Sequence, residues 1–141
     1  RLLGKIISRF EEKGFQIIGL KMIHISETLA RKHYAEHEGR DFFESLVKYT
    51  TSAPVLVIVL KGKNVVEIAR KMMGATFGFR AEPGTIRGDY AVSNRFNLIH
   101  GSDSLASAER EIGIFFHKGE LFEYDPADLT WVYDISTGDI V

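Results

Sequence analysis

Apolar residues recur at helical spacing at the start of the chain, at Leu2, Leu3, Ile6, Ile7 and Phe10, and Lys13-Gly14 follows as a stop. A helix is therefore predicted from about Leu2 to Lys13. From Phe15 to Ile25 the residues become β-branched and apolar, with Gln16, Lys21 and His24 interspersed, which predicts a strand. Ser26 is placed to cap a short helix running to about His37. Glu38-Gly39-Arg40 then turns the chain, and Asp41 with Glu44 forms a capping pair for a second helix reaching Tyr49, so the two make a hairpin. After the break at Ser52-Ala53-Pro54, the continuous apolar run Val55 to Leu60 has strand length and predicts burial on both faces inside a sheet. Asn64 caps a helix with the apolar face Val65, Ile68, Ala69 and Met72, ended by Gly74. Leu105, Ala108 and Ile112 mark a later helix, Gly113 to Phe116 is predicted as a short strand, and the periodicity fades from His117 onward.

Between Gly74 and Leu98 apolar residues follow neither period, and an aperiodic stretch of that length in a compact domain points to function. Its composition narrows the function. Arg80, Arg87 and Arg95, with Arg70 upstream, face only Glu82 and Asp89, so the stretch is cationic in a chain of net charge -1 and suits an anionic ligand. His100 ends the stretch beside Gly101 and the helix-capping types Ser102, Asp103 and Ser104. A histidine next to a helix N-terminus meets phosphate readily, because free N–H groups and the helix dipole favour negative charge there.

The rest of the composition mainly excludes. A length of 141 residues suits one core, and no repeat, low-complexity tract or linker marks a boundary. With 45% hydrophobic and 26% charged residues, and no apolar run longer than Val55 to Leu60, no bilayer-spanning segment is expected. The near-neutral charge lacks the footprint of a nucleic-acid binder. Zero cysteines exclude disulfides and Cys-based metal sites, which suits a cytoplasmic protein.

Two motifs carry a family resemblance: Pro83-Gly84-Thr85-Ile86-Arg87-Gly88-Asp89, and Asn97 to Asp103 with the pattern Asn-x-x-His-Gly-Ser-Asp. The chain resembles the nucleoside diphosphate kinases, in which the second run carries the phosphorylated histidine. His33-Tyr34, Phe42-Phe43 and Trp131-Val132-Tyr133 extend the likeness over nearly the whole chain. The resemblance implies an α+β fold, a ferredoxin-like βαββαβ antiparallel sheet with helices on one face, in a single domain over residues 1–141. The family's first strand, with its Lys-Pro-Asp motif, has no match here. The domain is thus expected to be N-terminally incomplete, the natural protein to carry roughly fifteen to twenty further residues upstream, and the chain as given not to fold into an active monomer.

The activity implied is transfer of the γ-phosphoryl group from a nucleoside triphosphate to a nucleoside diphosphate, in a ping-pong cycle through phospho-His100. Neutral imidazole suits that relay, since its ordinary pKa near 6.5 leaves most of it unprotonated. The likeness assigns Glu111 to orienting the His100 ring and Tyr34 to a place near it. Arg70, Arg87, Thr76 and His37 fall on phosphate-contacting positions, Asn97 on a sugar contact, and Phe42 with Leu46 on the base platform. Stacking on an aromatic face barely distinguishes one base from another, which implies broad specificity. On spacing alone Phe42 and Phe43 read as core residues, Asn97 as turn chemistry, Arg80 and Arg95 as solvated surface arginines, and His24, His33 and His117 as surface or structural histidines. Magnesium is implied on the nucleotide phosphates rather than in a protein metal site. The partners implied are ribo- and deoxyribonucleoside tri- and diphosphates and further copies of the chain in a homo-oligomer, a hexamer or sometimes a tetramer, with no membrane or nucleic acid.

Phe77-Gly78 where Asn-Pro is common, Asp41 in place of a proline, and Phe96 in place of an arginine are departures that bear on loop conformation and subunit contacts. The reading from a different class is a nucleotide-binding or scaffold protein of the same fold without turnover.

Overall fold

The structure, a computed structural model, describes residues 2–93 and 96–136. Arg95 and residues 137–141 of the tail lie outside the described residues. In chain order the main elements are α1 (Leu3–Glu12), β1 (Gln16–Ile23), α2 (Glu27–His33), α3 (Phe43–Thr50), β2 (Val55–Lys61), α4 (Val65–Met73), α5 (Ile86–Tyr90), α6 (Leu105–Phe115) and α7 (Leu129–Val132). Two compact units are distinguished. The first takes in the described residues of Arg1–Gln16, Lys61–Glu109 and Asp125–Val141, and the second Ile17–Leu60 and Arg110–Tyr124.

In the first unit, α1 forms on the predicted stripe and buries Ile6 and Phe10, with the Phe10 ring 6.5 Å from that of Phe15. Arg9, on the same helix, donates to Asp89 Oδ2 at 2.8 Å and to the Gly84 carbonyl. The Tyr133 hydroxyl donates to the Gly14 carbonyl at 3.0 Å, tying the tail to the chain just beyond α1. Asn64 occupies the cap position of α4 in a left-handed conformation, φ 50°, without a side-chain cap bond. Gly74 ends that helix at φ 81°, where any side chain would be strained and would run into Thr85.

The stretch expected to be without structure contains a short 3₁₀ turn at Gly78–Arg80 and the helix α5. Thr85 caps α5 by accepting from Gly88 N–H at 3.0 Å while donating to the Glu82 carbonyl at 2.6 Å. Gly88 is required because a Cβ there would collide with the Glu82 carbonyl. A helix of five residues with a glycine inside is too short to show a 3.6-residue period, which is why pattern alone misses it.

The second unit holds the helical hairpin. Ser26 caps α2 as predicted, its hydroxyl accepting from Leu29 N–H at 3.2 Å. Ile25, Ala30, Phe43 and Val47 form the core beneath the hairpin, with Ile23, Leu29, Tyr34, Val55 and Phe115 packed on it. The expected Asp41–Glu44 capping pair does not form. Phe42 takes the cap position without a side-chain bond, and Glu44 accepts instead from Arg31 at 2.7 and 2.8 Å. Arg31 also binds Glu27, so this fork competes successfully for the carboxylate. β1 and β2 form a two-stranded antiparallel sheet. Only Val59 of β2 is buried, the rest being half-buried, so the both-face burial expected of that run is not reached where the sheet has two described strands.

The short strand expected at Gly113–Phe116 is the last turn of α6, closed by Phe116 N–H donating to the Ile112 carbonyl at 2.8 Å. Leu105, Ala108, Ile112 and Phe115 continue one helical stripe through Gly113, and that period overrides the local apolar run.

Ile86 is 0% exposed. Ile86→Ala is expected to lower unfolding free energy by about 2–5 kcal/mol, read as a fall in urea midpoint with an unchanged slope.

Candidate active site

Of the residues expected to contact phosphate, Arg70, Thr76 and Arg87 belong to the first unit and His37 to the second. Arg70 lies in the last turn of α4 and donates to the Gly101 carbonyl at 3.2 Å. Arg87, on α5, is 8% exposed and sends three nitrogens to three carbonyls: Nε to Asn97 at 3.2 Å, and its terminal nitrogens to Gly74 at 2.9 Å and Ile99 at 2.6 Å. Burial, and secondarily the charge of Arg70, lower the Arg87 pKa from its ordinary value. Both arginines line a cavity of about 890 Å³ with Glu67, Lys71, Gly74 and Asp103. Lys71 is paired with Glu67 at 2.6 Å along α4. Thr76 is exposed, and neither it nor Asn97 nor His100 lines that cavity.

His100 is exposed at the end of the loop that follows α5. The approach to it is a tight turn: Ile99 N–H donates to the Asn97 carbonyl at 2.8 Å, and the central residue, Leu98, has φ 69°. A three-residue turn with a positive central φ is rare, and for a side chain such as leucine it costs about 1–3 kcal/mol. Beyond His100, the Ser104 hydroxyl accepts from Ser107 N–H at 3.1 Å, and Ser107 donates to Asp103 at 2.6 Å. Ser107 first, then Ser104 and the charge of Arg70, hold the Asp103 carboxyl below its usual range. Asp103, read from sequence only as a capping type, thus belongs electrostatically with Arg70.

The other expected site residues belong to the second unit. Phe42 is 50% exposed at the start of α3, whereas Phe43 is 5% exposed and part of the core, so the pair splits between surface and interior. Leu46, one turn after Phe42, is half-buried. A run of rings leads from Phe42 to His37 at 5.5 Å and on to Tyr34 at 6.3 Å. Burial is the main cause raising the Tyr34 pKa, a hydrogen bond with Thr50 opposes it, and the Glu111 charge adds to the rise. Glu111 on α6 is 9% exposed, with Arg110 3.7 Å away. His33, expected at the surface or in a structural role, is buried at 4% exposure against Tyr34 and Phe115, so it is not a surface histidine. Arg80 is exposed but not merely solvated, since its guanidinium lies over Phe77 and Phe79 at 5.8 and 5.2 Å.

A cationic pocket followed by a histidine on a strained turn is suited to receiving phosphate, and comparison with known proteins settles the family. The family profile described as nucleoside diphosphate kinase matches residues 1–121. The chain belongs to the nucleoside diphosphate kinase family. It is 56% identical over 133 residues to a nucleoside diphosphate kinase of Desulforamulus reducens and 57% to one of Pelotomaculum thermopropionicum, in each case over 94% of this chain and 89% of the relative. Among solved structures, it resembles a halophilic nucleoside diphosphate kinase from Halobacterium salinarum in complex with CDP. The TM-score is 0.92 at 46% identity, covering 94% of this chain and 89% of that one. A Borrelia burgdorferi nucleoside-diphosphate kinase, a transition-state mimic with bound vanadate and ADP, aligns with TM-score 0.85 at 35% identity, over 90% of this chain and 84% of that one. The fold is therefore the α+β ferredoxin-like one, and the chain is a phosphotransferase moving a phosphoryl group from nucleoside triphosphates to nucleoside diphosphates.

Asp89 closes the loop that carries Arg87. Its carboxyl lies below the ordinary 3.8 because Gly84 N–H, and then Arg9, donate to its charged form. A depressed folded-state pKa means stabilisation that is complete above the ordinary value and lost as pH falls through the folded one. The urea-midpoint gap between the parent chain and Asp89→Asn is expected to be constant at about pH 5 to 8 and to close below about pH 3.8, which parallel titrations of both proteins check.

Proposed function

We propose that the chain works as one nucleoside diphosphate kinase domain whose phosphoryl group is relayed by His100. A neutral ring nitrogen of His100 attacks the γ-phosphorus, the bond to the bridging oxygen breaks, and the nucleoside diphosphate leaves with that electron pair. The terminal phosphate oxygen of a second nucleoside diphosphate then attacks the phosphohistidine, returning the ring to its starting state. The observation that carries the reading is the pair of arginines beside the cavity, both bonded to the carbonyls that flank His100.

Arg70 and Arg87, with Thr76 and His37, take the phosphates and stabilise charge on the transferring oxygens. Glu111 orients the His100 ring, and Tyr34, whose pKa burial raises further, serves as a donor near it. Phe42 and Leu46 hold the base and Asn97 the sugar. Exposure of Phe42 supports this role, because a core phenylalanine has no face left to stack. Magnesium comes as part of the nucleotide substrate. Among the described residues no helix is long and apolar enough to cross a membrane, and the cytoplasm is the proposed location.

The chain is further proposed to assemble as a homo-oligomer, a hexamer, through the stretch Phe77 to Leu98 and the tail at Trp131. Phe77, Phe79, Val92 and Trp131 are 45%, 56%, 92% and 89% exposed, which suits anchors on a neighbouring copy.

With γ-labelled ATP the protein is expected to acquire an acid-labile, base-stable phosphate, and His100→Ala to lose it. Exchange should fall by more than about 1000-fold while equilibrium dialysis still detects nucleotide binding. Substantial exchange by that variant would replace the relay with direct transfer. Sedimentation of Trp131→Ala should show a looser assembly than the parent; an unaltered sedimentation coefficient and concentration dependence would remove Trp131 from the interface.

A further inference from the structure

An arginine that served only incoming phosphate would present its fork to solvent, yet Arg87 is 8% exposed and bonded through Nε and both terminal nitrogens to main-chain oxygens. Two of the three, the carbonyls of Asn97 and Ile99, bracket Leu98, the residue with φ 69°. The third, Gly74, is the cap residue just after α4. Among the described residues the turn's own bond is the one from Ile99 N–H to the Asn97 carbonyl, and the Arg87 contacts add an outside restraint on a backbone that leucine avoids. On the far side of His100, Arg70 reaches the Gly101 carbonyl at 3.2 Å.

We propose that Arg87 is a positioning residue: by tying the carbonyls of Asn97 and Ile99 to that of Gly74, it keeps the turn at Leu98 closed and sets the direction of the His100 imidazole before nucleotide arrives. Its catalytic consequence rests on the His100 relay, but the restraint itself belongs to the nucleotide-free protein. Arg87 keeps further N–H donors that can meet phosphate, so the two duties are compatible. Lysine cannot take over the first, because its donors radiate from one atom and these carbonyls are met by three separate nitrogens.

The test is amide hydrogen exchange by NMR on the full chain without nucleotide, comparing the parent, Arg87→Lys, Arg87→Gln and Ile86→Val. The last is a conservative change in the core beside Arg87. Loss of the restraint is expected to speed exchange at Leu98 to Gly101 by about tenfold or more relative to the amides of α4 in both Arg87 variants but not in Ile86→Val. Steady-state kinetics should show kcat lowered about 100-fold with KM changed far less. In the parent protein, the Arg87 Nε–H should exchange much more slowly than that of the exposed Arg80, a measurement that needs no variant. Unchanged exchange at Leu98 to Gly101, a rise no larger there than in α4, an Arg87 Nε–H as labile as that of Arg80, or a loss confined to KM would each overturn the proposal. Absence of phosphate on His100 in the parent would overturn the relay alone, leaving the exchange comparison to decide the restraint.

Discussion

A guanidinium withdrawn from water must recover its hydrogen bonds from the protein, and Arg87 does so with the carbonyls of Gly74, Asn97 and Ile99. That requirement joins the end of α4, the short α5 and the approach to His100. It also accounts for the residues around it. Thr85 starts the helix, Ile86 anchors it in the interior, Gly88 allows the Glu82 carbonyl to come close, and Asp89 folds back on Gly84 and Arg9. Each shapes the base from which Arg87 reaches across to the next loop.

The two motifs were legible as chemistry because their residue types are unusual in combination, and the family they imply is the one the chain belongs to. Their three-dimensional form was less legible. α5 spans five residues and leaves no measurable period, and the bond from Arg9 to Asp89 joins positions 80 residues apart. Glu44 looked like a capping residue from its spacing to Asp41, but an arginine fork on the neighbouring helix offers a carboxylate two charge-assisted bonds where a cap offers one neutral donor. At Gly113 to Phe116 local composition and the longer helical stripe disagreed, and the longer pattern prevailed because each added residue continues an existing ladder of bonds.

The adjacent phenylalanines show a second limit. Phe42 and Phe43 are chemically equal, and only their position on the first turn of α3 separates them, Phe43 turning into the core with Val47 while Phe42 remains outside beside His37. The exposed ring belongs to the run that includes Tyr34, where burial favours the neutral phenol. Sequence identifies such residues as aromatic; which face is left for a ligand is decided by the helix on which they sit.

Trp131 is the only tryptophan in the sequence, and it stands 89% exposed on the short helix α7. The chain's intrinsic tryptophan emission therefore reports the surroundings of its C-terminal region rather than those of its interior. In the isolated chain the indole is already in water, so unfolding changes its emission little, whereas covering that surface shifts the emission to shorter wavelength. Fluorescence and circular dichroism would then follow two different events in this molecule, the first the occupation of the tail and the second the loss of its helices.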